Sequence, residues 1–555
     1  MDTRKPLIVQ SDLTLLLETG LPDFEACRNA INRFSELEKS PEHIHTYKLS
    51  GLSIWNAVAA GLNTEWMLLK LKEFARFEIP ATVTRFIMDS VARFGFLTLK
   101  NYDSKRNLFS FTPEAIEKYV YEEIINNPTL QKLFLEELEP GEILISVYDR
   151  GSLKSLLIHL GYPVKDEVGF KSGEPLVISL RDKCRFSQMA FSLRDYQEEA
   201  VDTFCANEGG SGVIVLPCGA GKTVVGIGSI TTIKQHTLIL VTSIVAARQW
   251  IRELLDKTNI AENFVGEYTG EKKEVRPITV ATYQVLIKYS KKLKSYPHFH
   301  IFSENPWGLI IYDEVHLLPA PIFKITSSIQ ATRRLGLTAT LIREDGREKD
   351  VFSLIGPKRY DIPWKEMEKK KWISQAICSE IRAPLNHTIR LKYARATRKA
   401  KFRIASENPR KKFHIKNLLL EHSQDSVLII GQFLTQLKEI ANSLGFPLIT
   451  GAIKTKERQV LFDKFKNGDI KVLVVSKVAN FAVDLPRANV AIQISGTYGS
   501  RQEEAQRLGR ILRPKGKNSF FYTLVSKDTV EQEFALKRQL FLTEQGYSYE
   551  IIDSS

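Results

Sequence analysis

The segment VIVLPCGAGKTVVGIGSI (213–230) decides the fold. Five apolar residues run into a glycine-rich turn, and a helical pattern begins at Lys222-Thr223. Strand, glycine turn and helix in that order is the arrangement in which a backbone cradles phosphate. Gly219 and Gly221 let main-chain N–H groups approach phosphate oxygens without a Cβ in the way. The following helix N-terminus adds free donors and partial positive charge. In such a loop Lys222 pairs with the terminal phosphates and Thr223 holds Mg²⁺, so ATP and Mg²⁺ are the expected ligands. The strict pattern has glycine where Leu216 stands, so this segment alone also fits a tight turn capping a helix.

The pattern around this loop repeats. VIVLP (213–217), TLILVT (237–242), ITVATY (278–283), LIIYDE (309–314) and RLGLTAT (334–340) are short apolar runs separated by helical patterns. Runs of that kind are strands of a parallel sheet covered on both faces. A second set follows at 427–526: VLIIGQF, PLITG, VLVVSK, VAIQIS and FFYTLV. The fold class expected is α/β, with two parallel-sheet lobes at 190–360 and 361–545. Upstream, 140–182 reads as a small α+β unit, with strands in GEILISVYDR and EPLVISLR flanking a helix in GSLKSLLIHLG. Residues 1–125 read as mainly helical: Asp23–Glu38, Thr64–Phe77 and Ala81–Phe94 carry three- and four-residue apolar steps. A hairpin follows in FLTLK (96–100) and NLFSF (107–111). Helices followed by a hairpin fit a winged helix and a helical bundle with one hairpin equally well.

Acid pairs and arginines narrow the chemistry. LIIYDEVH (309–316) ends a buried strand on Asp313 and Glu314, a costly placement unless a cation meets them. Metal on a triphosphate meets that need, with Asp313 holding Mg²⁺ and Glu314 activating water. His316 fits a structural role or a coupling one. QRLGRILR (506–513) puts three arginines on a helix at three-residue steps. Arg510 and Arg513 suit the neutralisation of charge at a γ-phosphate, with Arg507 orienting them. A solvated cationic face is the alternative for all three.

The chain of 555 residues carries 78 Lys and Arg against 64 Asp and Glu, a formal charge of +14. Residues 389–417 (IRLKYARATRKAKFRIASENPRKKFHIKN) hold eleven of the cations and one acid, Glu407. Tyr393, Phe402 and Phe413 are interleaved, and cations with aromatics suit phosphates with bases. Arg398, Lys399, Lys401 and Arg403 are the candidate nucleic-acid contacts, against the alternative of a solvated charged face. Five cysteines stand far apart without a CxxC pair, which excludes a disulfide framework, a zinc ribbon and a four-cysteine iron–sulfur cluster. No run of eighteen apolar residues and no signal-peptide core appear, so a soluble protein with no membrane association is expected.

With these motifs in order, the chain resembles superfamily 2 helicases, and within them the XPB family of DNA repair helicases in its bacterial form. The resemblance covers nearly the whole length. LRDYQ (193–197) is similar to the adenine-reading segment, which implies that role for Gln197. LVTSIVAARQW (240–250), GEYTG (266–270) and ATYQ (281–284) resemble DNA-contact motifs of the first lobe. LTAT (337–340) resembles the coupling motif, which implies Thr338 and Thr340. SKVANFAVDLP (476–486) and QRLGRILR resemble motifs V and VI, which implies nucleotide-side roles for Asp484 and Arg507 and a coupling role for Gln506. Arg343, Glu344 and Asp345 match the family's RED motif, linked to strand opening. The basic stretch stands where the family has its thumb, and 140–182 stands where it has a damage-recognition domain.

What the resemblance implies is two RecA-like lobes and ATP-driven opening of duplex DNA with 3′→5′ polarity. It further implies a cytoplasmic monomer, with a nuclease partner as in archaeal relatives. A duplex translocase without processive unwinding, a DNA-binding scaffold with a decayed ATP site, and an RNA helicase are the competing readings.

Overall fold

The computed structural model describes all residues except 1–3, 40–42, 207–209, 218, 291–295, 330–331, 340–347, 363, 477–487, 497–499, 510, 513–517, 548 and 554–555. The chain forms two compact units, Met1–Val215 with Gly221–Asp361, and Leu216–Ala220 with Ile362–Ser555.

The first unit opens on a four-stranded antiparallel sheet of β1 (Leu7–Val9), β2 (Thr14–Glu18), β3 (Glu36–Lys39) and β4 (Ile44–Lys48), in the order β1-β2-β4-β3. Helices Gly51–Ala59, Thr64–Phe74 and Ala81–Gly95 follow, the first two capped by Ser50 and Asn63. Helices outweigh strands here, as the periodicity predicts, but the sheet is an addition. The helix expected over Asp23–Glu38 stops at Ile31. Its second half, ELEK (36–39), is β3, which pairs with β4 through Leu37 and Tyr47. Tertiary pairing has overridden a helical period that was only half satisfied.

The expected hairpin forms, as β5 (Leu97–Asn101) and β6 (Arg106–Phe111). It belongs to a five-stranded sheet with β7 (Phe134–Glu139), β8 (Glu142–Ser146) and β9 (Val164–Asp166), in the order β7-β8-β6-β5-β9. The sheet thus runs across the 125–140 boundary drawn from sequence, and the hairpin is not a free wing. The strand expected in EPLVISLR does not join a sheet. Residues 174–181 lie extended, touching Gln235 and Thr258 through isolated bridges, with Leu176 and Ile178 buried and Val177 exposed.

The rest of the first unit is a seven-stranded parallel sheet. Its strands are β10 (Ser211–Val215), β11 (Thr237–Val241), β12 (Val265–Tyr268), β13 (Ile278–Thr282), β14 (Leu309–Asp313), β15 (Arg333–Thr338) and β16 (Lys358–Asp361). They stand in the order β12-β13-β11-β14-β15-β10-β16. TLILV and ITVAT are buried at every position, as central strands covered on both faces must be. The edge strands β12 and β16 are not visible in the sequence because GEY and KRYD lack that apolar run.

The second unit repeats the architecture. Its strands are β17 (Ala376–Ala383), β18 (Val427–Ile430), β19 (Leu448–Ile449), β20 (Val472–Val475), β21 (Val490–Gln493), β22 (Ser519–Ser526) and β23 (Tyr549–Asp553), in the order β19-β20-β18-β21-β22-β17-β23. All their pairings are parallel. Sequence patterning misses β17 and β23.

Candidate nucleotide and nucleic-acid sites

β10 ends at Val215, and the helix Lys222–Ile233 starts after Gly221. Gly219 and Gly221 both have left-handed backbones, φ 85° and 81°. That geometry strains any residue with a Cβ. A Cβ on Gly221 would also lie 2.6 Å from Gln197 Nε2, so the glutamine sits directly against the loop. Gln197 is buried and accepts the Arg194 backbone N–H at 3.0 Å, which fixes the start of its helix, Asp195–Cys205.

The acid pair lies at the end of β14, two strands from β10. Lys222 Nζ stands 3.9 Å from Glu314 Oε1. Glu314 has a left-handed φ of 51°, uncommon for a residue with a side chain. Strain of that kind is tolerated where a side chain must be aimed. Its Oε2 is buried and takes no hydrogen bond among the described residues. Burial, then the neighbouring charge of Glu314, push the Asp313 carboxyl above the usual carboxylate range, while Trp250 and Lys222 pull it down. Trp250 Nε1 donates to Asp313 Oδ2 at 2.9 Å, and the Tyr283 hydroxyl donates to the Asp313 carbonyl at 3.0 Å. His316 is buried, with Nδ1 2.7 Å from Thr338 Oγ1 on β15 and 3.4 Å from Glu314 Oε2. His316, in the turn Val315–Leu317 after β14, and Thr338, on β15, are thus in direct contact.

A groove of about 410 Å³ opens beside the C-terminal ends of β11 and β13, lined by Thr242, Ser243, Gly270, Lys273, Gln284 and Lys288 among others. Three separate sequence segments, 240–250, 266–270 and 281–284, converge there. Gln284 Nε2 donates to the Thr242 carbonyl and ties two of them together. Ser243 caps the helix Ile244–Lys257, its side chain accepting the Ala246 N–H. Ser243 and Ile244, at the start of that helix, both line the groove.

Three family models match the chain. Residues 190–343 match the type III restriction enzyme res subunit, 367–555 match the ERCC3/RAD25/XPB C-terminal helicase, and 7–139 match the helicase conserved C-terminal domain. The chain is similar to the protein named DNA 3′-5′ helicase XPB of Kineococcus radiotolerans, at 50% identity over 100% of this chain and 97% of the relative. It is 48% identical to the protein of the same name in Mycobacterium tuberculosis, over 100% of this chain and 98% of the relative. The chain belongs to the XPB helicase family.

The XPB relationship extends to a eukaryotic protein. The Enterocytozoon bieneusi general transcription and DNA repair factor IIH helicase/translocase subunit XPB is 34% identical over 99% of this chain and 92% of its own length. In this XPB-family chain, Lys222, Asp313, Glu314, Gln197 and His316 are brought together around one loop. Thr340, Arg343, Glu344, Asp345, Asp484, Arg510 and Arg513 lie outside the described residues. Gln506 and Arg507 are buried on the helix Arg501–Gly509. Arg507 is tied to Gln493 on β21 and, at 3.2 Å, to Glu503. Its guanidinium packs inside the second unit.

The basic segment forms the helices His387–Arg395, Arg398–Ser406 and Lys411–Glu421. Arg398 and Lys399 are exposed. Lys401 lies 5.3 Å from the Tyr393 ring centroid, and Arg403 pairs with Glu407 at 3.1 Å. The expectation that all three aromatics face bases is corrected. Phe402 is fully buried against Phe534, and the Tyr393 hydroxyl accepts the Val530 N–H at 2.7 Å, so both anchor the segment. Phe413 is 63% exposed and remains open to a ligand. Sequence reasoning misses Trp250 and Tyr283 as acid-site residues. The signal lies in ARQW and ATYQ, which read only as DNA-contact motifs. Among the described residues, no helix is long and apolar enough to cross a membrane.

Proposed function

We propose that this XPB-family chain is an ATP-driven DNA helicase that moves 3′ to 5′ and opens duplex DNA in repair. The observation that carries the reading is Lys222, Asp313 and Glu314 assembled at the end of β10 and β14, beside a groove built from three family motifs. Lys222 meets the terminal phosphates of ATP. The donor set fits Mg²⁺: hard oxygens of Thr223 and Asp313, with Glu314 Oε2 buried and taking no hydrogen bond among the described residues. Bound there, Mg²⁺ supplies neutralisation of phosphate charge. Glu314 aligns the attacking water and takes its proton. Trp250 keeps the Asp313 carboxylate aimed at the loop. Gln197, against Gly221, reads the adenine edge. Arg510 and Arg513 neutralise charge developing on the γ-phosphate, and Arg507 orients them. His316 and Thr338 pass the state of the phosphate site to β15, with Thr340 and Gln506 in related coupling roles, and Asp484 contacts the nucleotide.

The groove of the first unit contacts DNA, and on the second unit the exposed cations Arg398 and Lys399 contact a DNA backbone, with Lys401 and Arg403 as secondary contacts. Arg343, Glu344 and Asp345 act in strand opening. The family resemblance supports a cytoplasmic monomer working with a nuclease. A second reading, translocation on duplex without strand separation, is favoured by the helicase/translocase wording of the eukaryotic relative's name. ATPase rates with no nucleic acid, single-stranded DNA, duplex, forked duplex and RNA test the proposal. Stimulation by forked or single-stranded DNA above RNA is expected. Equal stimulation by RNA would contradict it.

A further inference from the structure

The helix Val530–Glu544 buries two charged residues, Glu531 and Arg538, seven positions apart and so on nearly one face. Charges this deep are costly unless their partners are fixed in good geometry. Glu531 takes Lys411 Nζ on both carboxylate oxygens, at 2.7 and 2.9 Å, and the Ser526 N–H at 2.8 Å. Lys411 opens the third helix of the basic segment and also donates to the Ile494 carbonyl at 2.9 Å. Ser406, which ends the second helix, stands 3.4 Å from Glu531. Tyr393, on the first helix, receives the Val530 N–H. All three helices of the basic segment therefore meet the first turn of this one helix.

Two turns further on, the same helix holds the segment that carries the motif VI arginines. Arg538 Nε lies 3.4 Å from Glu504 Oε2, and Glu504 accepts Gln493 Nε2 at 2.9 Å. Gln493 in turn binds Arg507. The Arg538 guanidinium lies so close over Gly496 that a Cβ there would be 2.3 Å from its central carbon. A close-packed interior with paired buried charges has few arrangements open to it. Displacement of one partner is then passed on rather than absorbed.

We propose that helix Val530–Glu544 couples DNA engagement by the basic segment to the motif VI helix Arg501–Gly509, with Glu531 and Arg538 as its positioning residues. The inference rests on the DNA-contact reading of the basic segment given above. Neither residue touches nucleotide or DNA. Their role is to make hydrolysis respond to the strand.

The test compares basal ATPase, DNA-stimulated ATPase and DNA affinity in two variants of the full chain, Arg538→Lys and the apolar pair Lys411→Met with Glu531→Leu. The pair replacement removes both charges together and so avoids stranding one. Basal rate and DNA affinity should stay near wild type, while the ratio of stimulated to basal rate falls by about 5- to 150-fold, the range of ordinary coupling. Wild-type stimulation in either folded variant would overturn the proposal. So would an equal loss in basal and stimulated rates, because that would place the residues in hydrolysis itself. Lys399→Ala with Lys401→Ala and Arg403→Ala separates the two ideas. Unchanged DNA affinity in that variant sinks the DNA-contact reading and the coupling with it. Weakened affinity there, with intact stimulation in Arg538→Lys, sinks the coupling alone.

Discussion

Trp250 hands its indole N–H to Asp313 Oδ2 at 2.9 Å, from a helix that packs on the phosphate-loop helix at Gly226. A Cβ on Gly226 would lie 2.5 Å from the Trp250 ring, so the glycine is what allows the indole to reach the carboxylate. A hydrogen bond to a charged group contributes about 1.5–3 kcal/mol. Trp250→Phe keeps most of the packing and loses that bond. Its KM for Mg·ATP should rise roughly tenfold, with a smaller change in kcat. Steady-state kinetics over a range of Mg²⁺ checks this, and an unchanged KM would remove Trp250 from the site.

Lys222→Ala and Glu314→Gln should fail differently. Losing the lysine removes a transition-state interaction and should cost on the order of 10²–10³ in rate. The glutamine keeps shape but cannot accept the water's proton, so the variant should bind ATP, hydrolyse it slowly and retain DNA. Nucleotide-binding and single-turnover assays distinguish them. Glu314→Gln unable to bind ATP would point to a structural role.

The legible part of the molecule is its strands and its phosphate chemistry. Apolar runs such as TLILV and VLII announce covered parallel strands, and GAGKT and DEVH announce the ligand. What stays hidden depends on long-range partners. β17 contains Glu380 and Arg382, a pair that breaks the apolar run and is satisfied by their mutual bond and by Gln539 on Glu380. Phe402 has the sequence surroundings of a base-stacking residue because its neighbours are cations; its burial against Phe534 is set 132 positions away. Leu37 fits a helix period, and only the register with Tyr47 shows it in a strand.

The first sheet should carry its own acid sensitivity. His45 on β4 is buried, and burial, then the charge of Arg28, lowers its pKa to about 4. The unfolded chain takes up a proton near pH 6.5 that the folded one refuses until about pH 4. Stability from this group is thus full above roughly pH 6.5 and is lost as pH falls toward 4. Hydrogen exchange in β2 and β4 should accelerate between pH 7 and 5, after correction for intrinsic rates. His45→Phe, beside Phe24 at 5.4 Å, should remove the dependence. Equal protection at both pH values would contradict it.

Arg398 and Lys399, both exposed, should contribute more to the salt dependence of DNA binding than Arg403, which is exposed but paired with Glu407 at 3.1 Å. Removing one cation from a phosphate lowers the slope of log K against log salt by roughly 0.7–0.9. Arg398→Ala with Lys399→Ala should reduce it by about 1.5 and Arg403→Ala by less than about 0.7. A titration from low to moderate salt reads this directly. No change in slope would make the helix a solvated face.

Strand displacement on two tailed duplexes tests the central claim most directly. One substrate carries a single-stranded 3′ tail, the other a 5′ tail of the same length and sequence composition. With ATP and Mg²⁺, the protein should release the strand from the 3′-tailed duplex and leave the 5′-tailed duplex intact, and Lys222→Ala should release neither. Release from the 5′-tailed duplex, or none from either while DNA still stimulates ATP hydrolysis, would contradict a 3′→5′ helicase.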